Sequence, residues 1–92
     1  MTDIITISKR SLHRAGDILA AGGLVAFPTE TVYGLGANAC DDKAVAGILA
    51  AKDRPGCNPL VSHVASRGAA FRLGIETELA NILARCFWPG PL

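Results

Sequence analysis

Apolar and polar positions along the 92 residues change their period several times, and each change predicts an element. Residues 4–7 are apolar enough to predict a short first strand. From there Leu12, Ala15, Ile18, Leu19 and Ala21 fall near helical spacing, with Ser8 or Ser11 as the cap and Gly22-Gly23 as the end. The run Leu24-Val25-Ala26-Phe27 lacks alternation and is bounded by Gly22-Gly23 and Pro28, so it predicts a buried strand. Asp41 and Asp42 then open a second helix, because carboxylates are favourable at a helix amino terminus. Its apolar face is Ala44, Val45, Ile48 and Leu49, continued by Lys52, and Pro55-Gly56 ends it. Residues 60–64, fed by the Asn58-Pro59 turn, predict a strand with Leu60, Ser62 and Val64 on one face and Val61 and His63 on the other. Ser66 starts a short helix through Leu73, and residues 76–87 predict another with Leu79, Ile82, Leu83 and Cys86 on one face. Strand, helix, strand, helix, strand, helix, helix is a mixed α/β order that allows three layers. The sheet is short of strands.

Composition narrows the class without changing this order. Half of the residues are hydrophobic and 18% are charged, which is globular and excludes disorder. A chain of this length is one domain at most, burying only about 60 to 65 percent of its unfolded surface if it folds alone. The formal net charge of +1 gives no strong drive toward nucleic acid or anionic lipid. Lys9, Arg10, His13 and Arg14 concentrate positive charge early in the first helix; an RNA-facing patch and a plain solvated face both fit, and the second is the commoner outcome. Cys40, Cys57 and Cys86 are odd in number and far apart, so they read as reduced small hydrophobes and not as zinc or disulfide partners. The first residues lack a signal peptide's basic start and longer apolar core, and no run approaches the ~20 apolar residues of a membrane span. A soluble, cytoplasmic protein is expected.

The candidate chemistry gathers after the strand at residues 24–27. Pro28-Thr29-Glu30-Thr31-Val32-Tyr33-Gly34-Leu35-Gly36 carries hydroxyls, a carboxylate, a phenol and two glycines, at the strand end where open α/β sheets collect ligand-binding residues. Gly34-x-Gly36-x-x-Ala39 formally matches a dinucleotide fingerprint. Six residues nevertheless separate Phe27 from Gly34, the helix opens only at Asp41, and the acidic partner at a second strand end is missing. If the strands at 24–27 and 60–64 are neighbours, Thr31, Tyr33, Lys52, Arg54, Asn58 and His63 share one cleft. Two cations and an amide suit a polyphosphate, Arg as a fork and Lys as a point charge. The plainer reading of Lys52 and Arg54 is that a helix carboxyl end favours cations by about 0.3 to 1 kcal/mol each. His63 likewise fits a satisfied core histidine as well as a ligand. Nucleotidyl transfer to a small acid fits better than hydrolysis, since no Ser/His/Asp order, no paired catalytic carboxylates and no metal-ligand spacing stand out. Mg2+ is expected only with the nucleotide.

PTETVYGLG at Pro28 to Gly36, K-x-R-P-x-x-N-P-L at Lys52 to Leu60, the His63 that follows and FWPGPL at Phe87 to Leu92 resemble the amino-terminal half of the YrdC-like family. These are the L-threonylcarbamoyladenylate synthases, and the likeness runs from about Ser8 to Leu92. The resemblance implies an α+β (α/β layered) fold of the YrdC/RibB-like type, three layers with a mixed twisted sheet, here incomplete. Residues 1–92 are then one amino-terminal part of that domain. It implies a nucleotidyltransferase that takes L-threonine, bicarbonate and ATP to threonylcarbamoyl-AMP and pyrophosphate, for threonylcarbamoyladenosine in tRNA. By the same likeness Thr31 and His63 contact L-threonine and Tyr33 shapes the pocket, while Lys52, Arg54 and Asn58 contact ATP, Lys52 and Arg54 being the catalytic pair.

Two departures qualify it. Asp53 stands where the family usually has glycine, and a carboxylate ~7 Å from a phosphate costs about 2 kcal/mol at an effective dielectric of 20. The family's S-x-N motif beyond the WPGPL turn has no counterpart, so a fragment is expected, inactive and prone to self-association. Two other functions compete. A double-stranded RNA or tRNA-binding module needs a broader basic face than this charge supplies, and a hydrogenase-maturation carbamoyltransferase domain needs flanking zinc-finger-like cysteines.

Overall fold

Ser8 sets the start of the first helix, α1 (Lys9–Ala20). Its hydroxyl accepts from the Ser11 amide at 3.1 Å, and the Ser11 hydroxyl accepts from the Ser8 amide at 2.7 Å. This is a capping box with serine in the place usually taken by Glu or Gln. The other end closes as a Schellman motif: Gly23 N–H reaches the Ile18 carbonyl at 2.8 Å and Gly22 N–H that of Leu19 at 3.1 Å. Gly22 makes the turn at φ 86, a conformation that a Cβ disfavours.

The chain is seen in a computed structural model that describes residues 2–54 and 60–92. After α1 come β1 (Val25–Phe27), β2 (Gly34–Gly36), α2 (Asp42–Ala51), α3 (Arg67–Phe71) and α4 (Glu78–Phe87). β1 and β2 pair antiparallel, with Val25 opposite Gly36, Ala26 opposite Leu35 and Phe27 opposite Gly34. The class is α+β. Two compact units divide the chain, Met1–Pro59 and Leu60–Leu92.

In the first unit Asp41 caps α2, its carboxylate accepting from Lys43 N–H at 3.0 Å and Ala44 N–H at 3.3 Å. The face predicted for this helix is the one that packs: Ala44 and Ile48 are 2% and 8% exposed. Gly47 brings the helix backbone close to Leu24, since a Cβ there would lie 3.7 Å from the Leu24 side chain. The basic positions Lys9, Arg10, His13 and Arg14 are all exposed. Arg14 forms an ion pair with Asp3 in which both side chains stay more than half exposed, an arrangement worth about 0 to 1 kcal/mol.

In the second unit Ser66 caps α3 through the Ala69 amide at 3.1 Å, and Thr77 caps α4 through the Ala80 amide at 3.1 Å. The Trp88 indole N–H donates to the Leu92 carbonyl at 3.1 Å and ties down the residues beyond α4. Among the described residues no helix is long and apolar enough to cross a membrane.

Several expectations fail here. Residues 4–7 form no strand, and Ile4 is 96% exposed. Residues 60–64 form none either, and Val61 is 84% exposed. A strand exists only where a neighbour takes its N–H and C=O groups, and β1 and β2 use each other. The described sheet is therefore this two-stranded pair, and β1 has no strand at 60–64 for a neighbour. Conversely, β2 was not expected at all. Cys40 and Cys86 carry free thiols, in line with the reduced state expected of them, and both are exposed; Cys57 lies outside the described residues.

The face expected to be buried on α4 is also reversed. Ala84 is 4% exposed, whereas Leu79 is 66%, Phe87 57%, and Ile82 and Leu83 are exposed as well. Small Ala84 marks the buried side of the helix. A contiguous apolar stripe on the other side associates with whatever covers it. Sedimentation of the chain is expected to show a weight-average mass that rises with concentration, and Leu79→Glu with Leu83→Glu to abolish the rise. A mass independent of concentration in the unmodified chain refutes this.

Candidate functional site

The loop at residues 28–33 joins β1 to β2 and is tied from inside by one hydroxyl. Thr29 Oγ1 accepts from the Thr31 amide at 3.3 Å, donates to the Val32 carbonyl, and lies 3.4 Å from Thr31 Oγ1. A hydroxyl has one proton and two lone pairs. With the Thr29 proton on Val32, a bond between the two hydroxyls is donated by Thr31, whose oxygen keeps its acceptor capacity for a ligand. Thr29, Thr31 and Tyr33 are exposed, Tyr33 at 75%. The loop thus offers hydroxyls and a phenol on a fixed backbone. Thr29 was not among the expected site residues; the signal for it is T-x-T in a loop, where the first hydroxyl folds onto the following backbone.

The two glycines that follow have a packing task. A Cβ on Gly36 would lie 2.8 Å from Phe27 Cε1, and one on Gly34 would lie 3.3 Å from the same ring. Phe27 spreads over the opposite strand because that strand has no side chains there. The G-x-G pair therefore belongs to a hairpin and not to a phosphate-binding turn ahead of a helix, which disposes of the dinucleotide reading. Gly36→Val pushes the ring off and is expected to destabilise the fold by about 1 to 3 kcal/mol in urea unfolding. Parent-like stability is the contrary result.

The cation pair sits at the carboxyl end of α2. Lys52 is the cap residue, its N–H returning to the Ile48 carbonyl at 3.0 Å. Asp53 follows at φ 51, in the left-handed region. Asp53 N–H then bonds the Ala50 carbonyl at 3.2 Å and Arg54 N–H the Leu49 carbonyl at 2.9 Å. These are the two bonds of a Schellman motif. The helix ends through this turn, before Pro55-Gly56 is reached. The left-handed turn also accounts for the position where the resemblance gives glycine: any occupant must adopt a positive φ, and aspartate is among the residues that tolerate it best. Lys52, Asp53 and Arg54 are exposed.

Thr31, Tyr33, Lys52 and Arg54 thus all belong to the unit Met1–Pro59. His63 is exposed and belongs to Leu60–Leu92, in the segment that is not a strand. Asn58 lies outside the described residues. The structure brings the hydroxyls and phenol together on one loop, and the two cations together on one helix end.

Comparison with known proteins identifies the family. The family model Sua5/YciO/YrdC, described as telomere recombination, matches residues 17–92. The chain is 50% identical over 97 residues to a threonylcarbamoyl-AMP synthase of Pyrococcus abyssi, covering all of this chain and 28% of that protein. A threonylcarbamoyl-AMP synthase of Bacillus subtilis is 44% identical over 93 residues, covering all of this chain and 27% of that protein. The chain thus spans little more than a quarter of the length of these relatives. A solved variant of P. abyssi Sua5 superposes with a TM-score of 0.85 at 51% identity, over 92% of this chain and 26% of that one. P. abyssi Sua5 complexed with L-threonine superposes with a TM-score of 0.80 at 47% identity, over 95% of this chain and 26% of that one. A match across residues 17–92, with the α+β fold shared at these scores, places the chain in the Sua5/YciO/YrdC family.

Proposed function

We propose that these residues supply the threonine-binding loop and the phosphate-binding pair of an L-threonylcarbamoyladenylate synthase, serving threonylcarbamoyladenosine formation in tRNA. The observation that carries the reading is the 50% identity, across the whole of this chain, to a protein named threonylcarbamoyl-AMP synthase. The threonine complex of a solved relative supports the same ligand class.

The chemistry asks for positioning and charge more than for covalent catalysis. The amine of L-threonine adds to carbon dioxide derived from bicarbonate and loses a proton, giving a carbamate. A carbamate oxygen then attacks the α-phosphorus of ATP, and the bond from that phosphorus to the oxygen bridging toward the β-phosphate breaks, so that pyrophosphate leaves. Thr31 and His63 hold threonine, with Thr31 accepting from its ammonium or hydroxyl, and Tyr33 walls the pocket. Lys52, Arg54 and Asn58 hold the phosphates, where Arg54 forks onto two oxygens and Lys52 neutralises charge that grows on the leaving group. Holding both substrates in line supplies much of the remaining acceleration. Mg2+ accompanying ATP as part of the substrate would share the charge of the leaving pyrophosphate.

The test is synthesis by a full-length protein built on these residues. Pyrophosphate release is expected to require L-threonine, bicarbonate and ATP together, with threonylcarbamoyl-AMP as the product. Release that ignores threonine sinks the reading. The 92 residues alone are expected to make no adenylate.

A further inference from the structure

We infer that Asp53 is a positioning residue whose left-handed turn sets Lys52 and Arg54 toward one polyphosphate. The inference rests on the proposed role of those two cations in binding ATP. In an uninterrupted helix, residues two apart point about 200° away from each other around the axis, and two such side chains cannot serve one anion. The turn at Asp53 breaks that phase between them. Its φ of 51 sends the chain back across the helix end, so that Arg54 N–H closes on Leu49 at 2.9 Å.

The same closure ends α1, where the residue in the left-handed position is Gly22, at φ 86. There the amide after the glycine closes on Ile18 at 2.8 Å. One chain thus builds this motif twice. At the end of α1, with no flanking cations, it uses the residue without a Cβ. Between Lys52 and Arg54 it uses aspartate, a residue that tolerates the conformation but brings a Cβ and a carboxylate to it. A non-glycine residue held at positive φ between two candidate ligand-binding side chains is a reason to look for a role there.

ATP titrated into an isotope-labelled full-length synthase built on this chain, followed at the Lys52 and Arg54 amides, tests this directly. Asp53→Val opposes the left-handed turn and is expected to weaken ATP binding about tenfold and to expose the Arg54 amide to solvent exchange. Asp53→Gly keeps the turn and removes a negative charge close to the phosphates. It is expected to restore the protection of Arg54 and to bind ATP about twofold to tenfold tighter than the parent. If Asp53→Val does not fold by circular dichroism, Asp53→Ala takes its place, with a smaller weakening in the same direction.

Equal affinities for the glycine variant and the valine or alanine variant overturn the inference, as does protection of Arg54 that is indifferent to residue 53. Arg54→Ala separates the two levels. If it weakens ATP binding while the Asp53 variants do nothing, only the positioning role is lost. If it changes nothing, or if the parent shows no ATP-dependent shift, the phosphate assignment falls and the inference with it.

Discussion

Replacing Arg54 with alanine in a full-length synthase built on this chain is expected to lower kcat/KM for ATP by about a hundredfold or more. The size follows from what the guanidinium does: removal of one preorganised donor facing developing charge typically costs about 10² to 10³ in rate. Folding should be indifferent, because the side chain is exposed at the end of α2 and the bonds that close the motif there are made by the Arg54 backbone. Arg54→Lys is expected to recover part of the loss, since a point charge cannot reproduce a bidentate fork. Threonine-dependent pyrophosphate release, with circular dichroism as the folding control, measures it. An unchanged rate removes Arg54 from the site.

The second large effect is expected on the amino-acid substrate. A pocket that hydrogen-bonds the threonine hydroxyl through Thr31 or His63 leaves those groups unpaired when 2-aminobutyrate replaces threonine, and such sites reject the deficient analogue by roughly 10⁴-fold or more. Serine keeps the hydroxyl and loses one methyl group, which is worth only about 10- to 200-fold. In competition, serine should therefore outrun 2-aminobutyrate. Equal use of the two contradicts a polar pocket on the loop at residues 28–33. The bonds in that loop give the expectation its basis, because Thr29 holds the Thr31 amide while the Thr31 hydroxyl stays exposed.

Much of the helical structure could be read from local chemistry. Ser8, Asp41 and Ser66 cap their helices through contacts within three residues, and such signals need no knowledge of the rest of the fold. Strands were harder, because a strand depends on its neighbour. Residues 60–64 have an apolar pattern and no strand. Gly34–Gly36 has almost no pattern and is one. What makes it a strand is its antiparallel pairing with Val25–Phe27, over which its two glycines leave room for the Phe27 ring, and no periodicity reveals either. In the candidate site, the loop hydroxyls and the cation pair were legible as residue types at particular spacings. The turn between Lys52 and Arg54 was not, since a positive φ at aspartate leaves no mark on sequence pattern. His63 was placed by the assumption of a strand, and that part of the geometry did not survive.

The chain's single tryptophan, Trp88, offers an optical consequence of the way residues 88–92 are tied down. Its indole is half-buried and bonded to the Leu92 carbonyl, whereas the unit Met1–Pro59 contains no tryptophan and carries the single tyrosine, Tyr33. Emission excited at the red edge therefore reports on Leu60–Leu92 alone, and a shift toward longer wavelength marks the loosening of that unit around α4. Helical circular dichroism reports on both units, with the larger share from α1 and α2 of Met1–Pro59. Two midpoints in one denaturant series separate the units' stabilities, and a single shared midpoint means that they unfold as one.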